Sequence, residues 1–171
     1  MEAITRQTIE ETTVLVGSKS VTLAGQDLRN IEDLSKINLE GANLSESRLD
    51  KVNLEGAKLK GAKFDSAHLK KTSLKEADLQ ETNFYRADLR DADLSDCFLQ
   101  KTYLGSANLQ GAILVRANLT EANLHFADLR GADLSEAIII GINLNGARYN
   151  EKTRWPDKLV PELVGAIFER K

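Results

Sequence analysis

The sequence predicts an all-β solenoid, a parallel β-helix of square cross-section with about 20 residues per coil and about six coils, closed by a short C-terminal α-helical cap. Three observations predict it. First, the apolar inventory comes in two sizes: Leu (25) and Ala (18) dominate a chain of 171 residues that is 42% hydrophobic and only 5% aromatic. Second, a large residue recurs every five positions from Leu39 to Tyr149, at 23 positions, 19 of them Leu and the others Phe64, Phe84, Ile139 and Tyr149. Third, two residues before each large one lies a small one, Ala at 15 of 23 positions, and the position between is Asn or Asp 13 times.

Leu, Ala, Glu and Lys favour helix, but the period forbids it. Five residues advance about 500° around a helix, so the leucines would scatter over its whole circumference. A flat strand fails as well, because five is odd and successive leucines would point to opposite faces. Only a chain that turns once per repeat keeps every Leu inside. Four turns close a square coil of about 20 residues, and stacked coils pair like parallel strands about 4.8 Å apart. The narrow core then takes one large and one small residue per side.

The stretches ANLSE, ADLRD, ANLQG, ANLTE and ADLRG resemble the pentapeptide repeat, A(D/N)LXX, over about residues 37–151. The resemblance implies a right-handed quadrilateral β-helix. The tail, ARYNEKTRWPDKLVPELVGA, is similar to the closing segment of many cyanobacterial members.

Residues 20 apart share a column. Phe64 and Phe84 are therefore expected to stack, and Thr82 and Thr102 to bond neighbouring backbone through their hydroxyls. Cys97 falls in a small column and reads as a buried, inert thiol. Ile37 and Ile142, bulky exceptions near the two ends of the small column, read as end plugs.

Coil ends expose unpaired backbone groups, so caps are expected. Residues 1–22 form the expected N-terminal cap, with a helical turn over 4–11 and a strand pair, 14–16 and 21–23, around residues 17–20. The repeat domain spans 23–151, regular from 37. Leu34 follows Leu28 by six, so one extra residue near 30–33 predicts an irregular first coil. Residues 152–171 form the expected C-terminal loop and capping helix. Pro161 suits a first helical turn, and Val160, Leu163, Val164, Ile167 and Phe168 make one apolar stripe over the last coil. No second apolar face remains, which predicts a monomer. Trp155 is expected to pack at this junction.

A single Cys excludes a disulfide scaffold, and the longest apolar runs are too short to span a bilayer. The N-terminus has no basic stretch followed by an apolar run, so a cytoplasmic protein is expected. No phosphate-binding Gly loop, metal-ligand spacing or nucleophile elbow occurs. His68 and His125 fall on different faces, and His68 lies between Arg48 and Asp88. No cofactor, metal or catalytic residue is expected, and the protein reads as a non-enzymatic structural or protein-interaction module with an unidentified protein partner.

Two surfaces are candidates for contact. Tyr85, Tyr103 and His125 share one outward face, with Phe126 at its corner and Gly105 leaving a shallow notch between Tyr85 and His125. Phe98, Ile113, Val115, Ile138 and Ile140 are apolar on two other faces. Charge supplies the second surface. Residues 37–75 carry eight basic and five acidic groups, residues 76–136 five and eleven. Lys58, Lys60, Lys63, Lys70, Lys71 and Lys75 form a positive end; Asp78, Glu81, Asp88, Asp91, Asp93 and Asp96 begin a negative part, suited to docking a charged partner. Family members that protect or inhibit DNA gyrase mimic duplex DNA, which makes a DNA-mimic modulator of such an enzyme the alternative reading. The overall charge of −3 and the basic N-terminal half count against it.

Overall fold

The computed structural model describes residues 4–170. Residues 1–3 of the expected N-terminal cap and residue 171 of the C-terminal one lie outside the described residues.

Parallel bridges connect residues 20 apart from Asp33↔Asn53 to Asp128↔Arg148, one every five residues. The chain therefore winds as a four-sided coil. Its sides carry outward columns that we name the Phe98, Tyr103, Asp128 and Asp93 faces after one residue in each. The large and small columns fill the interior, with Leu at zero exposure through most of the stack.

One repeat shows why the motif has its form. The Asp88 amide donates to Ala67 C=O on the coil below (2.9 Å), and the Leu89 amide to Asn108 C=O above (2.8 Å). The corner amide of Asp91 reaches Gln110 C=O (2.9 Å), and Ala92 N–H closes the turn on Leu89 C=O (3.1 Å). The fifth amide, of Arg90, is taken by the Asp88 carboxylate (3.2 Å). The same side-chain bond recurs at Asn43, Asn83, Asn108 and Asn123. Asn and Asp thus occupy the middle position because they accept the one donor the ladder leaves over. Each corner residue has φ between 55° and 72°, and at 16 of the 23 corners it is not glycine. That left-handed corner, preceded by a residue of ordinary φ, is the geometry of a type II turn.

Phe64 and Phe84 stack at 4.9 Å between centroids, 17° from parallel. The hydroxyls of Thr72, Thr82 and Thr102 and the Cys97 thiol each donate to a large residue's carbonyl on the coil below, at 2.7–2.9 Å. Cys97 is buried, and that burial raises its thiol pKa.

The extra residue near 30–33 changes the register. Thr22 and Asp27 pair 21 residues on, with Asn43 and Arg48, before the spacing becomes 20. A second insertion, not anticipated from the sequence, sets Asp133 against Arg154. There the Gly131 amide bonds Asn150 Oδ1 (3.0 Å) and Thr153 Oγ1 (3.1 Å) in place of a backbone carbonyl.

Both caps differ from expectation. Residues 14–16 are not a strand; they are the last turn of α1, Arg6–Val16, which begins at a Thr5/Thr8 capping box. Ile9 packs on the core, and Arg6 bonds Ser35 C=O (2.9 Å). A 3-10 turn, Ser18–Ser20, leads into the coil. At the other end the predicted α-helix is absent. Pro161–Val164 is a 3-10 turn stopped by Gly165 in the left-handed conformation. Strand β2, Ile167–Phe168, then pairs in parallel with β1, Arg148–Tyr149. An open ladder edge offers β2 backbone partners that a helix could not use. Leu163 is 84% exposed, so the stripe does not cover the coil, and the monomer expectation loses the argument it stood on.

Polar contacts fasten this tail. Glu162 accepts from the Tyr149 hydroxyl, which burial and then that bond push up to about 12 in pKa. Glu169 pairs with Arg130 (3.4 Å) and Arg148 (3.7 Å). Both arginines also hold Asp128 (2.5 and 2.8 Å). Tyr149 packs edge-on against Trp155 and Phe168.

Leu89→Ala should destabilise by about 2–5 kcal/mol, because the stack cannot collapse around the cavity; a urea-unfolding loss below about 1 kcal/mol would contradict a tightly packed interior. Burial opposes ionisation of Asp128, but hydrogen bonds from Arg130 and Gln110 outweigh it and hold the carboxyl below its ordinary range. Its contribution is therefore present above a pH of about 4 and lost as pH falls further. Asp128→Asn should lower the melting temperature at pH 7 and narrow the gap to the parent protein at pH 3.

Candidate functional site

The 20-residue register turns sequence positions into columns, and the aromatic residues singled out above do meet. Tyr85 and Tyr103 stack with centroids 5.7 Å apart and 25° from parallel; Tyr103 and His125 are 6.4 Å apart at 26°. Phe126 follows at 4.6 Å, tilted 52°. The four rings form one strip up the Tyr103 face. Its lower end is closed by the Arg86 guanidinium, 5.0 Å from the Tyr85 centroid.

The notch expected at Gly105 is filled. A Cβ there would lie 2.9 Å from Tyr103 Cζ and 3.0 Å from His125 Nδ1, so Tyr103 uses the glycine as its seat. Phe126 lies in the same way over Gly146. His125 Nδ1 is buried without a hydrogen-bond partner. Within the strip, ring faces turn toward one another. Stacking on bases or sugars needs free faces, so the strip offers a partner ring edges and the outer side of Phe126, which is 58% exposed.

The acidic residues do not gather. Asp78 and Glu81 belong to the Phe98 face and its corner, Asp88 and Asp91 to the Asp128 face and its corner, Asp93 and Asp96 to the Asp93 face and its corner. Arg116 holds Asp96 (2.8 Å), Arg90 holds Asp88 (2.5 Å) and Lys60 approaches Glu81 (3.6 Å). These pairs lower the carboxyl pKa of Asp96 and Asp88, through the arginine hydrogen bond first. Phe98, Ile113, Ile138 and Ile140 are exposed on the Phe98 and Asp93 faces. His68 sits between Arg48 and Asp88 in the ladder, on the face next to that of His125 and about three coils below it. Among the described residues no group of His, Cys, Asp and Glu is placed to hold a metal ion, and no helix is long and apolar enough to cross a membrane.

The sequence reading missed a feature of the Asp128 face. Three Asp-x-Arg triplets, at 27–29, 88–90 and 128–130, place their arginines on this face, each clamped by its own aspartate at 2.5 and 2.8 Å. Beside them lie two hollows that share Arg90. One, about 450 Å³, is lined by Gln110, Gly111, Arg130, Gly131 and Lys152 among others. The other, about 460 Å³, lies against Lys51, His68, Lys70 and Lys71. The signal was present in the repeated DLR triplet; the upper hollow also depends on the glycines of its corner, and the lower one is bounded by charged side chains and His68.

Comparison with known proteins adds the lineage. The solved structure of HetL, a pentapeptide repeat protein involved in heterocyst differentiation regulation in the cyanobacterium Nostoc sp. strain PCC 7120, is 22% identical over 92% of this chain and 90% of its own, with a TM-score of 0.49. Rfr23 from the cyanobacterium Cyanothece 51142 is 24% identical over 87% of this chain and 99% of its own, at 0.45. QnrB1, a plasmid-mediated fluoroquinolone resistance protein, is 18% identical over 87% and 92%, at 0.33. No curated protein matches. The family model for pentapeptide repeats matches in eight copies, over residues 33–65, 57–96, 97–135 and 127–148. The repeats span most of the chain, the ladder realises each of them, and the protein belongs to the pentapeptide repeat family.

Proposed function

We propose that the protein is a non-enzymatic scaffold that binds a protein partner through the strip of Tyr85, Tyr103, His125 and Phe126. The observation that carries this reading is the strip itself. Aromatic residues are scarce in the chain, yet these four stand together on one outward face, and aromatic side chains are what protein interfaces concentrate. The ladder backbone beneath holds them in place before binding, so little side-chain entropy is lost on contact.

The DNA-mimic reading has weaker support. Its six acidic residues spread over three faces, and Glu81, Asp88 and Asp96 face cations. A duplex mimic needs an unbroken run of negative charge on one side. In a supercoiling assay with purified gyrase, micromolar protein should leave activity unchanged; inhibition or protection would favour the mimic over the scaffold.

The direct test is an affinity pull-down from the source organism with the parent protein and with Tyr85→Ser/Tyr103→Ser. Both tyrosines lie outside the core, so the fold should survive, as a circular dichroism melt would verify. The variant should lose its principal partner. A partner set identical to the parent's would remove the aromatic strip as the contact.

A further inference from the structure

We propose that the Asp128 face carries a groove for an extended acidic peptide. The groove is separate from the aromatic strip and is formed by the two hollows that meet at Arg90. Its long direction follows one corner column, in which Lys51, Lys71, Asp91, Gly111 and Gly131 succeed each other on consecutive coils. Neither glycine puts a side chain on the corner; the Asp91 carboxylate leans over Gly111, and the gap lies above it at Gly131. That gap opens the upper hollow between Arg90 below and Lys152 above.

The donors are prepared for carboxylates. Arg90 spends Nε and one Nη on Asp88, which fixes its plane and leaves its remaining N–H groups for a ligand. Arg130 is held in the same way by Asp128 two coils higher, so the two guanidiniums stand about 10 Å apart; its other Nη already meets Glu169 at 3.4 Å, so a ligand acid there must displace Glu169. An extended chain covers about 10 Å in three residues, so acidic side chains three positions apart match the pair. Lys51, Lys70 and Lys71, lining the lower hollow, have no ion-pair partner among the described residues. With Arg90 paired to Asp88, these three lysines outnumber the one other carboxylate lining the hollow, that of Asp50.

The interspersed carboxylates select the class of ligand. Asp50, Asp88 and Asp91 stand among the cations. A nucleic-acid backbone, negative at every step, would meet all three, whereas a peptide places its acids opposite cations and neutral residues opposite carboxylates. A free anion would need only one hollow. The spacing of two fixed arginines is used only by a chain that reaches both.

The test is fluorescence anisotropy with a labelled eight-residue peptide bearing Glu at every third position and Ser or Gly between. Its Gln counterpart and an oligothymidine of equal charge serve as comparators. The Glu peptide should bind saturably, weaken with added salt, and exceed both comparators. Lys70→Gln/Lys71→Gln should raise its Kd about tenfold, the equivalent of losing one good charge-assisted contact. Lys58→Gln/Lys63→Gln, on other faces, should not. Thermal melts of both variants establish that the coil persists. Three results would overturn the proposal: no saturable binding of the Glu peptide, equal losses in both lysine pairs, or tighter binding of the oligothymidine. The aromatic strip takes no part in this assay, and Tyr85→Ser/Tyr103→Ser should bind the peptide as the parent does, so either assignment can fail without the other.

Discussion

Closing every backbone amide within a five-residue repeat is the constraint on which this molecule depends. Two amides per repeat bond the coils above and below through the ladder, one bonds upward from the corner, and one closes the turn. The fifth is left to a side chain, and Asn or Asp supplies it in the repeats that carry one. The arrangement works only while neighbouring coils have equal length. An extra residue in mid-stack would have to bulge between two full coils, pulling the amides beside it from acceptors above and below. The two insertions accordingly sit at the ends, in the first coil and at 150–153, where one side of the coil is free. At the second, Asn150 and Thr153 offer side-chain oxygens to an amide that would otherwise be stranded.

The same constraint decides where individuality can appear. Interior positions are fixed by volume: a large and a small residue, with Thr or Cys tolerated where a hydroxyl or thiol finds a carbonyl. The outward columns and the corners are free. Most corners hold an L-residue in the left-handed region, at a cost of about 1 kcal/mol or more each. Glycine would relieve that strain but would also remove the side chain. Corners therefore function as display positions, and Arg86, Phe126 and Lys71 occupy three of them. Where the corner is glycine, as at Gly131, what is displayed is an opening.

The interior was legible because Leu and Ala repeat in a period that no helix or flat strand can satisfy. The Phe64–Phe84 stack, the interior Thr bonds and the grouping of Tyr85 with Tyr103, His125 and Phe126 follow from counting in twenties. The ends were not legible, because the periodicity stops there. Leu163, Val164, Ile167 and Phe168 fit a helical stripe, yet four residues cannot distinguish it from a turn and a strand. Gly165 and the unpaired edge at Arg148–Tyr149 decide for the strand. Val14, Leu15 and Val16 have strand propensity, but they continue a helix already capped at Thr5. The hollows escaped notice because their lining comes from neighbouring coils and, at Gly131, from an absent side chain, while a sequence scan weighs residues one at a time.

A solenoid of this kind has no hinge, so its two surfaces are related by position alone. The Tyr103 and Asp128 faces are consecutive in the chain and meet at the corner column that holds Arg86 and Phe126. The proposed groove for an acidic peptide runs along the opposite edge of the Asp128 face, at the column of Lys71 and Gly111. A partner that used both would lay an apolar element on the first corner and an acidic strand on the second. The fixed width of one coil side would set the distance between them. Selectivity then resides in a dimension that the ladder holds constant: either element alone finds a modest surface, and only a partner with both at the right separation gains from the two together.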